Sequence, residues 1–279
     1  MWKHTLCLAV NSQFGIPAEE QMRMIKEAGF DGFFMCWNED GDVDKCAARA
    51  KELGLIFQSI HAPWTKAADM WGDDEEKGRI AIDELLACLN DCVKHEVPIL
   101  VVHAFIGFED HTPTPAGLKR FGEVVKAAEK TNVKIAFENT EGEEYLAALM
   151  EEFKTSPAVG FCWDTGHEMC YNWSKDMLEL YGDRLIATHL NDNCGIKDHD
   201  GKITWIDDLH LLPFDGIADW NNIVDRLDRH NYQGILTFEL NTLSKPGRHE
   251  NDKYRDMKLE QYIAECFIRA CRVANMRKI

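Results

Sequence analysis

The sequence contains no Cys-x-x-Cys pair, no Gly-x-Gly-x-x-Gly and no glycine-rich loop closed by Lys-Ser or Lys-Thr. Without the first, ten scattered cysteines read as the free thiols of a cytosolic chain rather than as a disulfide framework. Cys88 and Cys92, four apart on one helical stretch, read as core filler. Without the other two, a doubly wound nucleotide-binding sheet loses its sequence support. No run approaches the ~18 apolar residues of a membrane span. The apolar opening, residues 1–10, is too short for a secretion signal and lacks a cleavage region. The expectation is a cytoplasmic protein without a membrane partner. Basic residues are also scarce: 31 Lys and Arg face 48 Asp and Glu, a net charge of −17. Such a field repels nucleic acid, whose binding needs a basic track.

What is present is globular. A 45% hydrophobic and 28% charged chain of 279 residues can bury a large core. Short runs rich in β-branched and aromatic residues recur at 5–10, 32–37, 55–61, 98–103, 133–138, 159–164, 185–189 and 234–239. Most are nearly continuous apolar segments, as strands of a parallel sheet buried on both faces should be. Amphipathic stretches follow at 18–28, 43–53, 79–94, 116–131, 143–153, 175–181, 220–230 and 256–274. Pro17 suits a first helical turn, Thr140 with Glu143 has capping-box spacing, Asp219 suits an N-cap, and Gly29 and Gly54 follow helix ends. Eight strand–helix units without a dividing linker predict one α/β domain over 1–279: a single (β/α)8 TIM barrel with its active site at the C-terminal ends of the strands.

The strand ends carry the chemistry. From the third strand onward they close in His61, His103, Glu138, Asp164, His189 and Glu239. Singly, each reads as a loop charge, a cap or a structural histidine. Six together at one barrel mouth, in an acidic chain, call for a neutralising cation. Glu138, Asp164, His189 and Glu239 lie on neighbouring strands and form the expected ligand set for one divalent metal. Three carboxylates and an imidazole suit Mn2+ or Mg2+, with Co2+ or Zn2+ also compatible.

These positions resemble a known family. Glu138, Asp-Thr-Gly-His at 164–167, His189 and Glu239 are similar to the xylose-isomerase-like barrel superfamily of sugar isomerases, epimerases and apurinic-site endonucleases. Ser-Ile-His-Ala-Pro at 59–63, Val-Val-His at 101–103 and Asp-Leu-His-Leu-Leu-Pro-Phe-Asp-Gly at 208–216 extend the resemblance. Phe214-Asp215 stands where many members have Gly-Glu. The resemblance implies an isomerase or epimerase acting on a sugar or sugar phosphate. Glu138 and Glu239 would be the catalytic pair on opposite faces of a metal-held substrate, exchanging a proton beside its carbonyl. His61, His103, His167, Trp64, Asp208 and His210 would bind substrate, and Trp37, Phe105 and Trp163 would wall it. Lys197, Lys202, Lys245 and Arg248 are the basic loop residues available to a phosphate.

Three alternatives accompany this reading. The endonucleases resemble the chain at all nine of their metal-ligand positions, namely His61, His103, Glu138, Asp164, His167, His189, Asp208, His210 and Glu239, but the charge opposes a DNA partner. A dehydratase or lyase on a sugar or cyclitol would begin with the same proton abstraction. A binding protein that has kept the barrel without turnover is the third.

Overall fold

The computed structural model describes residues 4–109, 112–197 and 201–278; residues 1–3 of the apolar opening lie outside them. Eight parallel strands surround the core: β1 Leu6–Val10, β2 Gly32–Cys36, β3 Ile56–His61, β4 Ile99–His103, β5 Lys134–Glu138, β6 Val159–Asp164, β7 Leu185–His189 and β8 Leu236–Phe238. They run in the order β7-β6-β5-β4-β3-β2-β1-β8. The ends meet where Leu190 bridges Phe238, so the sheet is a nearly closed TIM barrel. Outside it lie α1 Ala18–Ala28, α2 Asp42–Leu53, α3 Glu75–Lys94, α4 Pro115–Ala128, α5 Glu143–Glu152, α6 Thr165–Cys170, α7 Met177–Tyr181, α8 Trp220–Arg229 and α9 Leu259–Ala274.

Most expected boundaries agree to within a few residues, and the differences have local causes. α3 starts at Glu75 instead of residue 79 because Asp74 caps it, accepting the Glu76 and Lys77 N–H groups at 3.0 and 3.1 Å. The acidic run there meets the positive end of the helix dipole. Thr140 is not the cap of α5. Left-handed Gly142 stands at that N-cap (φ 73°), while the Thr140 hydroxyl donates to the carbonyls of Phe105 and Glu141. Asp219 caps α8 as expected, and Gly29 and Gly54 close their helices in the left-handed conformation. Cys88 and Cys92 are fully buried core residues.

Inside the barrel, a strand's period of two determines what the mouth stands on. Val101, Ala136, Cys162 and Ala187, each two residues before a strand-end His, Glu or Asp, form a small buried cluster of their own. These short side chains leave room above them. Register then levels the ends: His103 pairs with Glu138, and Asp164 with His189. The second pairing needs the register shift after Phe161, since Phe161 faces Leu185 but Cys162 faces Ala187. Uninterrupted pairing would set Asp164 against Thr188, whose side chain belongs to the opposite face.

The closing seam is thin. β8 has three residues, and across the gap Leu190 N–H donates to Thr237 O at 2.8 Å and Glu239 N–H to Leu190 O at 3.3 Å. The Thr188 hydroxyl fills in for missing backbone pairs, accepting the Thr237 N–H at 3.1 Å and donating to Ile235 O at 3.3 Å.

Behind β6, Arg226 of α8 lies over the Trp163 ring at 4.6 Å and pairs with Glu168 at 2.7 Å and Asp176 at 3.0 Å. Glu168 also accepts from Trp163 Nε1 and Met177 N–H. Removing Arg226 strands a buried carboxylate, so Arg226→Ala is predicted to lower stability by about 3–5 kcal/mol. Denaturant titration checks this; a midpoint like that of the unaltered protein contradicts it.

Candidate metal centre and active site

The short helix α6, unforeseen because it follows β6 without a linker, explains the Asp-Thr-Gly-His segment. Asp164 ends β6 and caps α6, accepting the His167 N–H on Oδ1 at 2.7 Å. Its Oδ2 accepts from Asn191 Nδ2 at 2.8 Å. Thr165 clasps the same asparagine, donating to Asn191 O and accepting from Asn191 N–H. Residue 166 must be glycine, because a Cβ there would fall 2.0 Å from Asn191 Oδ1. The carboxylate of Asp164 is thus aimed before any ligand arrives.

The imidazoles are aimed in a similar way. His61 Nδ1 donates to Ala62 O at 2.7 Å, leaving Nε2 at 3.1 Å from Glu138. His167 Nδ1 donates to Asn139 O at 3.0 Å, and its Nε2 lies 3.6 Å from Asp208. A ring N–H held by a backbone carbonyl, with the other nitrogen turned inward, is the usual outer support of a metal-ligating histidine. His189 stacks on Phe34 at 4.6 Å and places Nδ1 at 3.0 Å from both Glu138 and Glu239.

Asp208 and His210 arrive on the long loop after β7. Asp192 secures that loop by accepting from the N–H groups of Phe214 and Ala218 and from Trp220 Nε1. His210 sits at φ 48°, uncommon for a non-glycine residue, and its Nε2 lies 2.9 Å from Asp208.

The sequence-predicted residues therefore converge. Glu138, Asp164, His189 and Glu239 offer ligand atoms all within 4.8 Å of one another, as do His61, His103 and Glu138, and also His167, Asp208 and His210. Glu138 belongs to the first two groups and is wholly buried, while Glu239 is partly exposed and lines the cavity above. Trp64 stands at that cavity beside His61 and His103.

Charge balance tests the fit to a cation. Burial opposes ionisation of Glu138, yet His189, His103 and His167 hold its carboxyl well below the ordinary range. Burial also opposes ionisation of Glu239, but His210 and His189 bring it down to about 2. Asp164 goes the other way, up to about 6, chiefly through burial. His210 is raised against its burial to about 9 by Asp208 and Glu239. In effect imidazolium protons balance the carboxylates. Buried ring nitrogens of His103, His189 and His210 meanwhile have no hydrogen-bond partner among the described residues. Oxygen-rich and imidazole-bearing, with its facing nitrogens His189 Nδ1, His103 Nε2 and His210 Nε2 set against carboxylates, this set fits a divalent ion that would displace those protons.

Several expectations need correction. Trp163 is fully buried under Arg226, and Phe105 is buried and stacked on Tyr145 at 4.1 Å, so neither walls the site. Asp215 turns away to Arg269, Lys253 and Tyr254. Arg248 is buried against Asp207 and Glu250, and Lys197 donates to Gly247 O. Lys245 does reach the cavity. Cys162, two residues before Asp164, also comes within ligand range of Glu138 and His189, which its strand parity could have revealed.

The family described as xylose isomerase-like TIM barrel matches residues 22–259, and the chain belongs to it. Among curated relatives, an uncharacterised protein, y4fM, of Sinorhizobium fredii is 35% identical over 162 residues, covering 54% of this chain and 49% of that one. An inosose dehydratase of Lactiplantibacillus plantarum is 27% identical over 137 residues, 44% of each chain. The chain thus spans about half the length of the curated relatives it matches. Among solved structures, the IOLI protein with a binding zinc atom superposes at TM-score 0.75 and 16% identity, covering 97% of this chain and 98% of that one. D-psicose 3-epimerase from Clostridium cellulolyticum, solved with D-tagatose, gives 0.70 and 14%, covering 97% and 99%.

Proposed function

We propose that the protein is a divalent-metal-dependent isomerase or epimerase that moves a proton at the carbon beside the carbonyl of a sugar. One observation carries this: of the four clustered residues Glu138, Asp164, His189 and Glu239, it is Glu239 whose carboxylate lines the cavity, where a substrate would meet it. A carboxylate beside the substrate, here paired with His189, serves as a general base. A divalent ion held by the four would supply positive charge where the carbonyl oxygen becomes negative. Glu138, on the inner side of the same cluster, is the second proton-transfer group. His61, His103, His167, Asp208, His210 and Trp64 hold the substrate's hydroxyls and ring. Lys245 Nζ lies 3.6 Å from Asp208, and this neutralisation favours an unphosphorylated substrate. The epimerase among the structural neighbours supports the reading. The inosose dehydratase supports its near variant, in which the same abstraction is followed by loss of water from a cyclitol.

A second reading, a three-metal phosphodiesterase, is favoured by the two further ligand groups His61/His103/Glu138 and His167/Asp208/His210. Metal count and isotope uptake separate the two. After dialysis against a mild chelator, about one metal per chain is expected, together with solvent deuterium entering a cognate ketose or inosose beside its carbonyl. Three retained zinc ions with incision at abasic sites overturn the proton-transfer reading.

A further inference from the structure

The cavity of about 500 Å³ above the cluster holds three carboxylates, Asp208, Glu239 and Glu141, beside the histidines assigned to hydroxyls. Two of the three are compensated. Asp208 lies 2.9 Å from His210 and 3.6 Å from both His167 and Lys245, and Glu239 lies 3.0 Å from His189. Glu141 is not. It stands in the loop between β5 and α5, is only 7% exposed, and its side chain makes one hydrogen bond, accepting the Gly107 N–H on Oε1 at 3.0 Å. Its Oε2 has neither a donor nor a cation beside it among the described residues. Glu141 also belongs to none of the candidate ligand groups, so an ion in the four-residue cluster would not bind it directly.

A buried carboxylate without a cation is costly, and a ligand that brings the cation relieves that cost. The surroundings narrow the kind of cation. Trp64, Phe108, Tyr171 and Trp205 share the cavity with Glu141, and aromatic ring faces attract organic cations. Lys245 Nζ already sits 5.5 Å above the Trp205 ring, but Asp208 takes its charge. A sugar hydroxyl would satisfy Oε2 and leave the charge unbalanced. An ammonium group would satisfy the oxygen, balance the charge and gain from the rings.

We propose that the substrate carries a protonated amine, as an aminodeoxy sugar or an aminocyclitol does, and that Glu141 is the residue that selects it. The carbohydrate skeleton rests on the proton-transfer reading; the amine rests on Glu141 and the rings around it. The histidines keep their role toward the hydroxyls, and Glu239 its role as base.

Calorimetry on the metal-loaded protein at pH 7 tests this, with D-glucose, its 2-, 3- and 6-aminodeoxy analogues and the N-acetylated form of each analogue. At least one aminodeoxy sugar is expected to bind about tenfold more tightly than D-glucose, the scale of one charge-assisted contact in a cavity. Acetylation, which removes the positive charge, should abolish that gain. Glu141→Gln should bring the amine-to-glucose affinity ratio towards one at unaltered metal content. The proposal is overturned if no aminodeoxy sugar binds more tightly than D-glucose, if the gain survives acetylation, or if it survives Glu141→Gln. The acetylation arm needs no variant, so it decides even if the substitution disturbs folding. Deuterium uptake into ketoses reports on the reaction alone, so its failure and that of the amine preference are told apart.

Discussion

Glu239→Gln is expected to lower turnover on a cognate sugar by roughly 10²–10⁴, the usual loss when a positioned acid or base is removed. Gln keeps the side chain's shape and one oxygen donor, so metal binding should partly survive. The same change at Glu138 should cost a similar factor, because its carboxylate is the proposed second proton carrier and the hub of the imidazole cluster. The two variants should nevertheless differ in deuterated water. If the residues serve opposite faces of the substrate, one variant still exchanges the substrate proton with solvent without completing inversion. Full activity in both removes the two-base mechanism. Turnover in the unaltered protein with no deuterium entering would point instead to internal hydride transfer.

Asp164→Ala and His189→Ala are each expected to abolish tight metal binding while leaving the barrel folded. Both side chains belong to the four-residue cluster, and the layer below them is formed by small side chains that these substitutions do not touch. Elemental analysis gives the metal content and circular dichroism the fold. Metal content equal to that of the unaltered protein in both variants sinks the ligand assignment. Metal uptake should also release protons, since ligating groups must give theirs up. The displacement should grow harder as pH falls through about 6, where Asp164 takes up its proton.

The barrel was legible because fully buried parallel strands produce apolar runs with sharp ends, and because glycines and Asp219 mark helix boundaries by backbone chemistry. The convergence of the candidate site was legible for the same reason: a polar residue that closes an apolar run stands out, as Glu138 and Asp164 do. What escaped was set by distance. Thr140 has the spacing of a cap, but spacing says nothing about the left-handed Gly142 between it and the helix. Trp163 has the composition of a sugar-stacking wall, yet its alternation from Cys162 turns it outward beneath Arg226. The cavity above Glu239 joins the ends of β3 and β4 to loops around residues 106 and 205, a long-range coincidence that no local pattern encodes.

The thin seam between β7 and β8 gives the candidate metal cluster a mechanical meaning. A hoop of parallel strands is as tight as its fastening, and here the fastening is a few backbone bonds helped by one threonine hydroxyl. His189 and Glu239 stand on the two sides of that gap. A cation gripped by both would act as the buckle, so loading the site and tightening the hoop become a single event, with occupancy adding to resistance against opening. Amide hydrogen exchange at Thr237 and Glu239 would then register an ion that touches neither amide.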